Sequence, residues 1–149
     1  MSKKVIVVLV PIIILLIAFS FSNKSSREII FTKNAPMPVG PYSQAIKIGN
    51  FLYVAGQVGI NAEGKLDSTS IETECIQSLN NIKAIVEAGG MKMEQVVKST
   101  LYVKDLKNFS KINEIYATFF PKDPPARETV GVAALPKGAH FEISVIAVK

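Results

Sequence analysis

Arg127, Glu142 and Tyr42 are the residues of this chain whose types could do chemistry together. Arginine occurs only at 27 and 127 among 149 residues, and the remaining positive charge is lysine. A guanidinium fork grips a planar carboxylate with two parallel hydrogen bonds, which the point charge of lysine cannot do. Arg127 follows Pro124-Pro125-Ala126, where two prolines end any preceding helix and start extended chain. A guanidinium early in an apolar strand needs a partner if it is buried. That partner is either a ligand or a structural carboxylate, Glu142 or Glu128. Glu142 alternates on its strand against Phe141 and Ile143 and shares a face with Ser144. If the strands carrying Arg127 and Glu142 pair as a hairpin, both side chains lie near one end of a sheet. Tyr42 offers a phenol from a proline-rich loop. Gly56, in Ala55-Gly56-Gln57-Val58-Gly59, permits a bulge or lets a ligand approach the backbone, although a plain strand end is the simpler reading. One cation, one carboxylate, one hydroxyl and open backbone suit a small planar carboxylic acid. Glu142 could then position or deprotonate a water.

Other chemistries are poorly supplied. The sole cysteine, Cys75, excludes an internal disulfide and a Cys-based zinc site, and it falls on an apolar helical stripe as a small hydrophobe. His140 is the only histidine and has no nucleophile signature around it. No glycine-rich phosphate loop is present. The formal charge is +5, and subtracting Lys3 and Lys4 leaves +3 for the rest, so charge does not demand a nucleic-acid partner.

Residues 1–27 read as a leader and linker, and residues 28–149 as one domain. Val5 to Phe21 is uncharged and almost wholly apolar behind Lys3 and Lys4. As a helix it would reach about 25 Å at about 1.5 Å per residue, slightly short of a hydrocarbon core of about 30 Å. A cleaved signal peptide and an uncleaved transmembrane helix compete, with the anchor favoured. Either predicts a membrane-anchored or exported protein, in contact with the membrane through residues 5–21. A cytoplasmic location is the alternative.

Within the domain the pattern predicts β-β-β-α-β-α-β-β. Strands are expected around Ile29–Phe31, Ala45–Ile48 and Phe51–Ala55, the last two joined by a Gly49-Asn50 hairpin. Ile71, Cys75, Leu79, Ile82 and Val86 make one helical stripe, started by Ser68 or Thr69 in a capping box with Glu72 and stopped by Gly89-Gly90. A strand over Gln95–Val103 and a helix with Phe109, Ile112, Tyr116 and Phe119 inward follow, then strands over Arg127–Ala133 and Phe141–Val148. Two amphipathic helices must cover one face of a single sheet. Val54, Val58, Val97, Leu101, Val103, Val132 and Ile146 are assigned to the other face, and their number predicts a homo-oligomer.

Several motifs stand in order: Asn34-Ala35-Pro36, Gly40-Pro41-Tyr42-Ser43-Gln44-Ala45, Gly56-Gln57, the run Gln77 to Gly89, Val103-Lys104-Asp105-Leu106, Pro125-Ala126-Arg127, Leu135-Pro136 and Glu142-Ile143. Together, over residues 28–149, they resemble the RidA (YjgF-type) family. The resemblance implies an α+β, chorismate-mutase-like (YjgF-like) fold, a single mixed β-sheet covered on one face by two helices, and a homotrimer with sites in the clefts between subunits. It implies hydrolysis of 2-imino acids such as 2-iminobutanoate and 2-iminopropanoate, or their enamine tautomers, to 2-oxo acids and ammonia, with no cofactor; the residues themselves offer no metal ligand set, so such hydrolysis is expected to be metal-free. By the same resemblance Arg127 clamps the substrate carboxylate, Glu142 holds the attacking water, Tyr42 lines the cleft and Gly56 contributes a backbone contact. Thr129 stands at a substrate-binding position where the family frequently has cysteine. Two departures are visible: Ala55 replaces a frequent serine, and Glu128 follows the arginine where a small or apolar residue is usual. A non-catalytic trimeric module binding a small carboxylate is the alternative function, and a ribonuclease or translation inhibitor a further one.

Overall fold

The computed structural model describes residues 26–67 and 69–149. Six strands form one mixed sheet: β1 (Arg27–Ile30), β2 (Ala45–Ile48), β3 (Phe51–Val58), β4 (Val96–Val103), β5 (Ala126–Gly131) and β6 (Phe141–Val148). Their spatial order is β1-β2-β3-β6-β4-β5. Only β4 and β5 run parallel; every other neighbouring pair is antiparallel. Two helices, α1 (Ile71–Ala88) and α2 (Phe109–Phe119), pack side by side on one face.

The start and stop of α1 follow from side-chain chemistry. Cys75, Leu79, Ile82 and Val86 are completely buried, as their spacing of four, three and four requires. The cap is Ser70 rather than Ser68 or Thr69. Its Oγ accepts from the Thr73 N–H at 3.2 Å, and Thr73 Oγ1 accepts from the Ser70 N–H at 3.2 Å. Glu72, expected to close the capping box, is instead engaged by Lys111 of α2 at 2.7 Å. At the other end Gly90 sits at φ +74. The Met91 N–H reaches the Val86 carbonyl at 3.1 Å and the Gly90 N–H reaches that of Glu87 at 2.9 Å. That is the double closure of a left-handed helix stop, and Met91 is buried beneath it.

Two β-bulges explain where the sheet departs from simple alternation. On β3 the register shifts between Val54 and Gln57, and on β4 between Val96 and Lys98. Each extra residue reverses the facing of everything beyond it. Val54 and Val58, on either side of the first bulge, therefore face opposite ways, as do Val97 and the pair Leu101 and Val103 at the second: Val54, Leu101 and Val103 belong to the helix-side core, not to the opposite face to which plain alternation assigned them. Val97 stays on the open face, 48% exposed. Phe51 and Tyr53 are stacked there as well, 46% and 45% exposed, with ring centroids 6.1 Å apart.

The expected pairing of the last two strands as a hairpin is also corrected. β4 lies between β5 and β6, because β5 returns parallel to β4 while β6 runs antiparallel to β4 and β3. β5 ends at Gly131, two residues before the expected Ala133.

The transmembrane helix and signal peptide expected of residues 5–21 gain no support, and the membrane assignment is withdrawn. Residues 5–21 lie outside the described residues, and among those described no helix is long and apolar enough to cross a membrane. The longest, α1, carries Glu72, Glu74, Lys83 and Glu87 within its 18 residues.

Ser70→Ala removes the acceptor for the Thr73 amide and should cost about 1 kcal/mol of folding stability. Urea unfolding at fixed protein concentration should show a lower midpoint with an unchanged slope.

Candidate active site

Glu142 projects from β6 onto the open face, where its strand neighbours are Val58 on β3 and Tyr102 on β4. The carboxylate lies directly over the bulge of β3. A Cβ added to Gly56 would fall 1.9 Å from Glu142 Oε1 and 2.9 Å from its carboxyl carbon. Glycine at 56 thus makes room for the protein's own acid. Glu142 is half-buried and forms no ion pair among the described residues. Burial alone raises its pKa above the ordinary glutamate value.

In front of this acid opens a cleft of about 550 Å³. One wall is the proline-rich loop with Pro36, Met37, Val39 and Tyr42; the floor is Ala55 to Val58; Pro136 and Lys137 close the far side. The loop is held down by Gln44, which is almost wholly buried. Gln44 Oε1 accepts from the Thr32 N–H at 2.7 Å, and Nε2 donates to the carbonyls of Thr32, Ala35 and Pro36 at 3.0, 3.3 and 2.9 Å. The Ala55 N–H donates to the Gln44 carbonyl at 2.9 Å, which ties the loop to the bulge. The phenol of Tyr42 is half-exposed, its oxygen accepting from the Val39 N–H at 3.4 Å. The floor is fastened from behind by Asn81 of α1. Its Nδ2 donates to the carbonyls of Val58 at 3.1 Å and Ile60 at 2.7 Å, and Gln77 Nε2 donates to its Oδ1 at 2.8 Å.

Tyr42, Gly56 and Glu142 therefore share one cleft, and Arg127 does not. Arg127 stands on the edge strand β5 opposite Ser99, and Ser99 pairs with the buried Val145. Paired residues share a face, so Arg127 lies on the helix side and Glu142 on the open side, with β4 between their strands. The guanidinium carbon sits 4.7 Å from the Tyr116 ring centroid and 5.7 Å from that of Phe109, an aromatic shelf of cation–π type. Tyr116 is fixed by an oxygen–oxygen hydrogen bond of 2.7 Å with Ser99, and burial raises its pKa. Arg127 forms no ion pair among the described residues. Glu128 does not neutralise it, because Glu128 faces the other way and pairs with Lys98 at 2.5 Å. Thr129 shares the face of Arg127, opposite Leu101, and lies outside the cleft.

Sequence reasoning missed Gln44, Asn81 and the Phe109–Tyr116 shelf. Asn81 did carry a signal. With Glu74 and Ser78 it forms a polar row at spacings of four and three beside the apolar stripe, and all three are completely buried. Cys75 has the plain role expected of it: burial pushes its thiol up to about 12. Among the described residues no group of three or more His, Cys, Asp or Glu could hold a metal ion.

Comparison with known proteins sets this site in a family. The family model described as Endoribonuclease L-PSP matches residues 32–149. A RutC family protein of Pyrococcus horikoshii is 50% identical over 124 residues, covering 83% of this chain and 98% of its own. A 2-iminobutanoate/2-iminopropanoate deaminase of Dermatophagoides farinae is 45% identical over 125 residues, with coverage of 83% and 98%. The crystal structure of the YjgF gene product of E. coli aligns with a TM-score of 0.79 at 42% identity, over 82% of this chain and 98% of that one. With the mixed sheet, the paired helices and the order of its motifs, the chain belongs to this Endoribonuclease L-PSP family, the RidA (YjgF-type) family.

Proposed function

We propose that the protein hydrolyses small 2-imino acids, such as 2-iminobutanoate and 2-iminopropanoate, to 2-oxo acids and ammonia. The observation that carries this reading is Glu142, a half-buried carboxylate free of ion pairs among the described residues, held over Gly56 in a cleft it shares with Tyr42. The kinship to a protein named as such a deaminase supports it.

In the proposed reaction the substrate carboxylate is gripped by Arg127 of a neighbouring copy. A homotrimer with its sites between subunits, as the family resemblance implies, brings that arginine to the cleft. The exposed apolar face with Phe51, Tyr53 and Val97 supports such an assembly. The position of Arg127 on an edge strand supports it too, since an edge can abut another subunit. Glu142 takes a proton from a water while the water oxygen bonds to the imine carbon. The C=N pair moves to nitrogen, which takes up a proton. The carbinolamine then collapses: its oxygen loses a proton as C=O forms, nitrogen gains one, and the C–N bond breaks to release ammonia. Tyr42 lines the cleft and the backbone at Gly56 contacts the substrate. Thr129, on the same face as Arg127, would meet substrate from the neighbouring subunit's side.

Ammonia release from freshly generated 2-iminobutanoate tests the reading. Arg127→Ala should lower kcat/KM by about 10²-fold or more, and Glu142→Gln should lower kcat by about 10² to 10⁴-fold. Mixing the two variants after reversible dissociation should restore about a quarter of the wild-type rate, since one site in four then carries both native residues. No acceleration by the wild type would leave only a binding module, and no recovery on mixing would remove Arg127 from the site that Glu142 serves.

The pH dependence has a definite sign. A proton on Glu142 removes the base, and its pKa is raised. The enzymatic rate above background should therefore fall with acid at a pH above the ordinary glutamate range. Glu142→Gln should abolish that limb in a pH profile of kcat.

Gly56→Ala places a methyl group where the carboxylate lies. Its kcat should fall by about 10²-fold, the cost of a misplacement of about 1 Å, while circular dichroism remains that of the wild type.

A further inference from the structure

Glu74 lies on α1 and is completely buried, yet it is an acid. It reaches across the chain to the beginning of β6. Its Oε1 accepts from the backbone N–H of His140 at 2.5 Å and from that of Phe141 at 2.9 Å. Its Oε2 lies 3.1 Å from Nδ1 of His140. Two successive amides converge on one carboxylate oxygen, and such charge-assisted bonds are stronger than neutral ones. The residue that follows Phe141 is Glu142.

The surroundings give this contact a purpose beyond joining a helix to a strand. The segment before it turns sharply, with Lys137 at φ +60 and Gly138 at φ +76, and it supplies Pro136 and Lys137 to the cleft. The Gly138 and Ala139 amides close this turn on the carbonyls of Leu135 and Pro136 at 3.3 and 3.1 Å, and the next two amides, of His140 and Phe141, go to Glu74. On its other side α1 is pressed against the end of β3. A Cβ at Gly59 would fall 2.4 Å from Glu74 Cγ and 2.8 Å from the Glu74 carbonyl oxygen. Glu74 therefore joins the start of β6 to the end of β3 through α1, beside the ladder that pairs Val58 with Glu142, and so acts on the two segments that carry Glu142 and the bulge beneath it.

We propose that Glu74 is a positioning residue, whose buried carboxylate fixes the first amides of β6 and so holds the Glu142 carboxylate against Gly56. The inference rests on the reading of Glu142 as the water-activating group. The groups facing Glu74 are His140 and its own neighbour Cys75; those sharing the cleft with Glu142 are Tyr42, Glu63 and Lys137. Glu74 adds no charge effect to Glu142, whose shift comes from burial alone. Its action is through geometry.

Two variants test it in the full chain. Glu74→Asp keeps the charge but is one methylene too short to hold both amides. Glu74→Gln keeps one acceptor oxygen and loses the charge. Glu74→Asp should lower kcat on 2-iminobutanoate by about tenfold or more with KM changed less than about twofold, and Glu74→Gln should lower kcat by about threefold. Carbon-13 NMR should show the titration midpoint of the Glu142 carboxyl moving towards the ordinary glutamate value, far in the Asp variant and part-way in the Gln variant. A merely structural role would lower the melting temperature and move neither kcat per folded protein nor that midpoint. Wild-type values of both in either folded variant overturn the proposal, so it stands open to refutation even if only the Gln variant folds. The NMR arm uses no substrate. A wild type that fails to turn over imines would sink the deaminase reading, while the positioning of Glu142 would still be decided by its midpoint.

Discussion

The Glu142 carboxylate lies against the sheet at a point where the strand beside it carries no side chain. That constraint governs this site. Glu142 occupies the volume that any Cβ at position 56 would need, and the bulge of β3 brings Gly56 beneath it. The contact removes water from one side of the acid, and the loss of solvation raises its pKa. A base of higher pKa is a better acceptor for the proton of an attacking water, provided it remains ionised at the working pH. Geometry and basicity thus come from the same missing side chain.

The cleft takes its shape from polar side chains that lie behind or beside it. Burying such a group without partners costs about 1–3 kcal/mol, and here backbone atoms supply the partners. Asn81 spends its amide on the carbonyls of Val58 and Ile60, at the floor. Gln44 spends its amide on the loop that carries Tyr42. Helix α1 therefore has two inner rows. The apolar row of Cys75, Leu79, Ile82 and Val86 makes core, and Glu74 and Asn81 of the polar row beside it fasten the ends of strands. A fully satisfied buried network is rigid, which suits a site that must present one acid at one place.

The amount legible in the sequence follows from the range of the forces involved. β2 and β6 have the bounds their alternation predicts, the Gly49-Asn50 turn joins β2 to β3 in register, and the stripe of α1 is completely buried from Cys75 to Val86, with Ile71 at its start partly so. These are local patterns. The bulge of β4 was not legible, because alternation says which residues differ in facing but not where an extra residue resets the count; that of β3 was signalled by Gly56, although a plain strand end was the simpler reading. Val54, Leu101 and Val103 were misassigned for that reason alone. The β5–β6 hairpin failed because strand order depends on which edges remain free, and β4 had already taken the place beside β6. Tyr42, Gly56 and Glu142 were grouped with Arg127 from their types and from that hairpin, and one cleft holds the first three without Arg127. The partners of Gln44 and Asn81 are backbone atoms, and a backbone atom leaves no mark in a sequence.

Arg127 sets the last step. Within one chain its guanidinium rests on Tyr116 and Phe109 on the helix side of an edge strand, while Glu142 faces the open side beyond β4. No rotation of either side chain carries it through a hydrogen-bonded sheet. If the two act on one substrate, as proposed, they must come from different copies of the chain. The aromatic shelf then gains a meaning. It supports the guanidinium without neutralising it, which under that proposal leaves its fork available to a carboxylate in the cleft of a neighbour. An internal ion pair would have fixed the side chain equally well and left it nothing to bind with. Glu128 is kept from that role by its pairing with Lys98 on the opposite face. The acidic residue after the arginine is thus held away from it by the alternation of the strand they share.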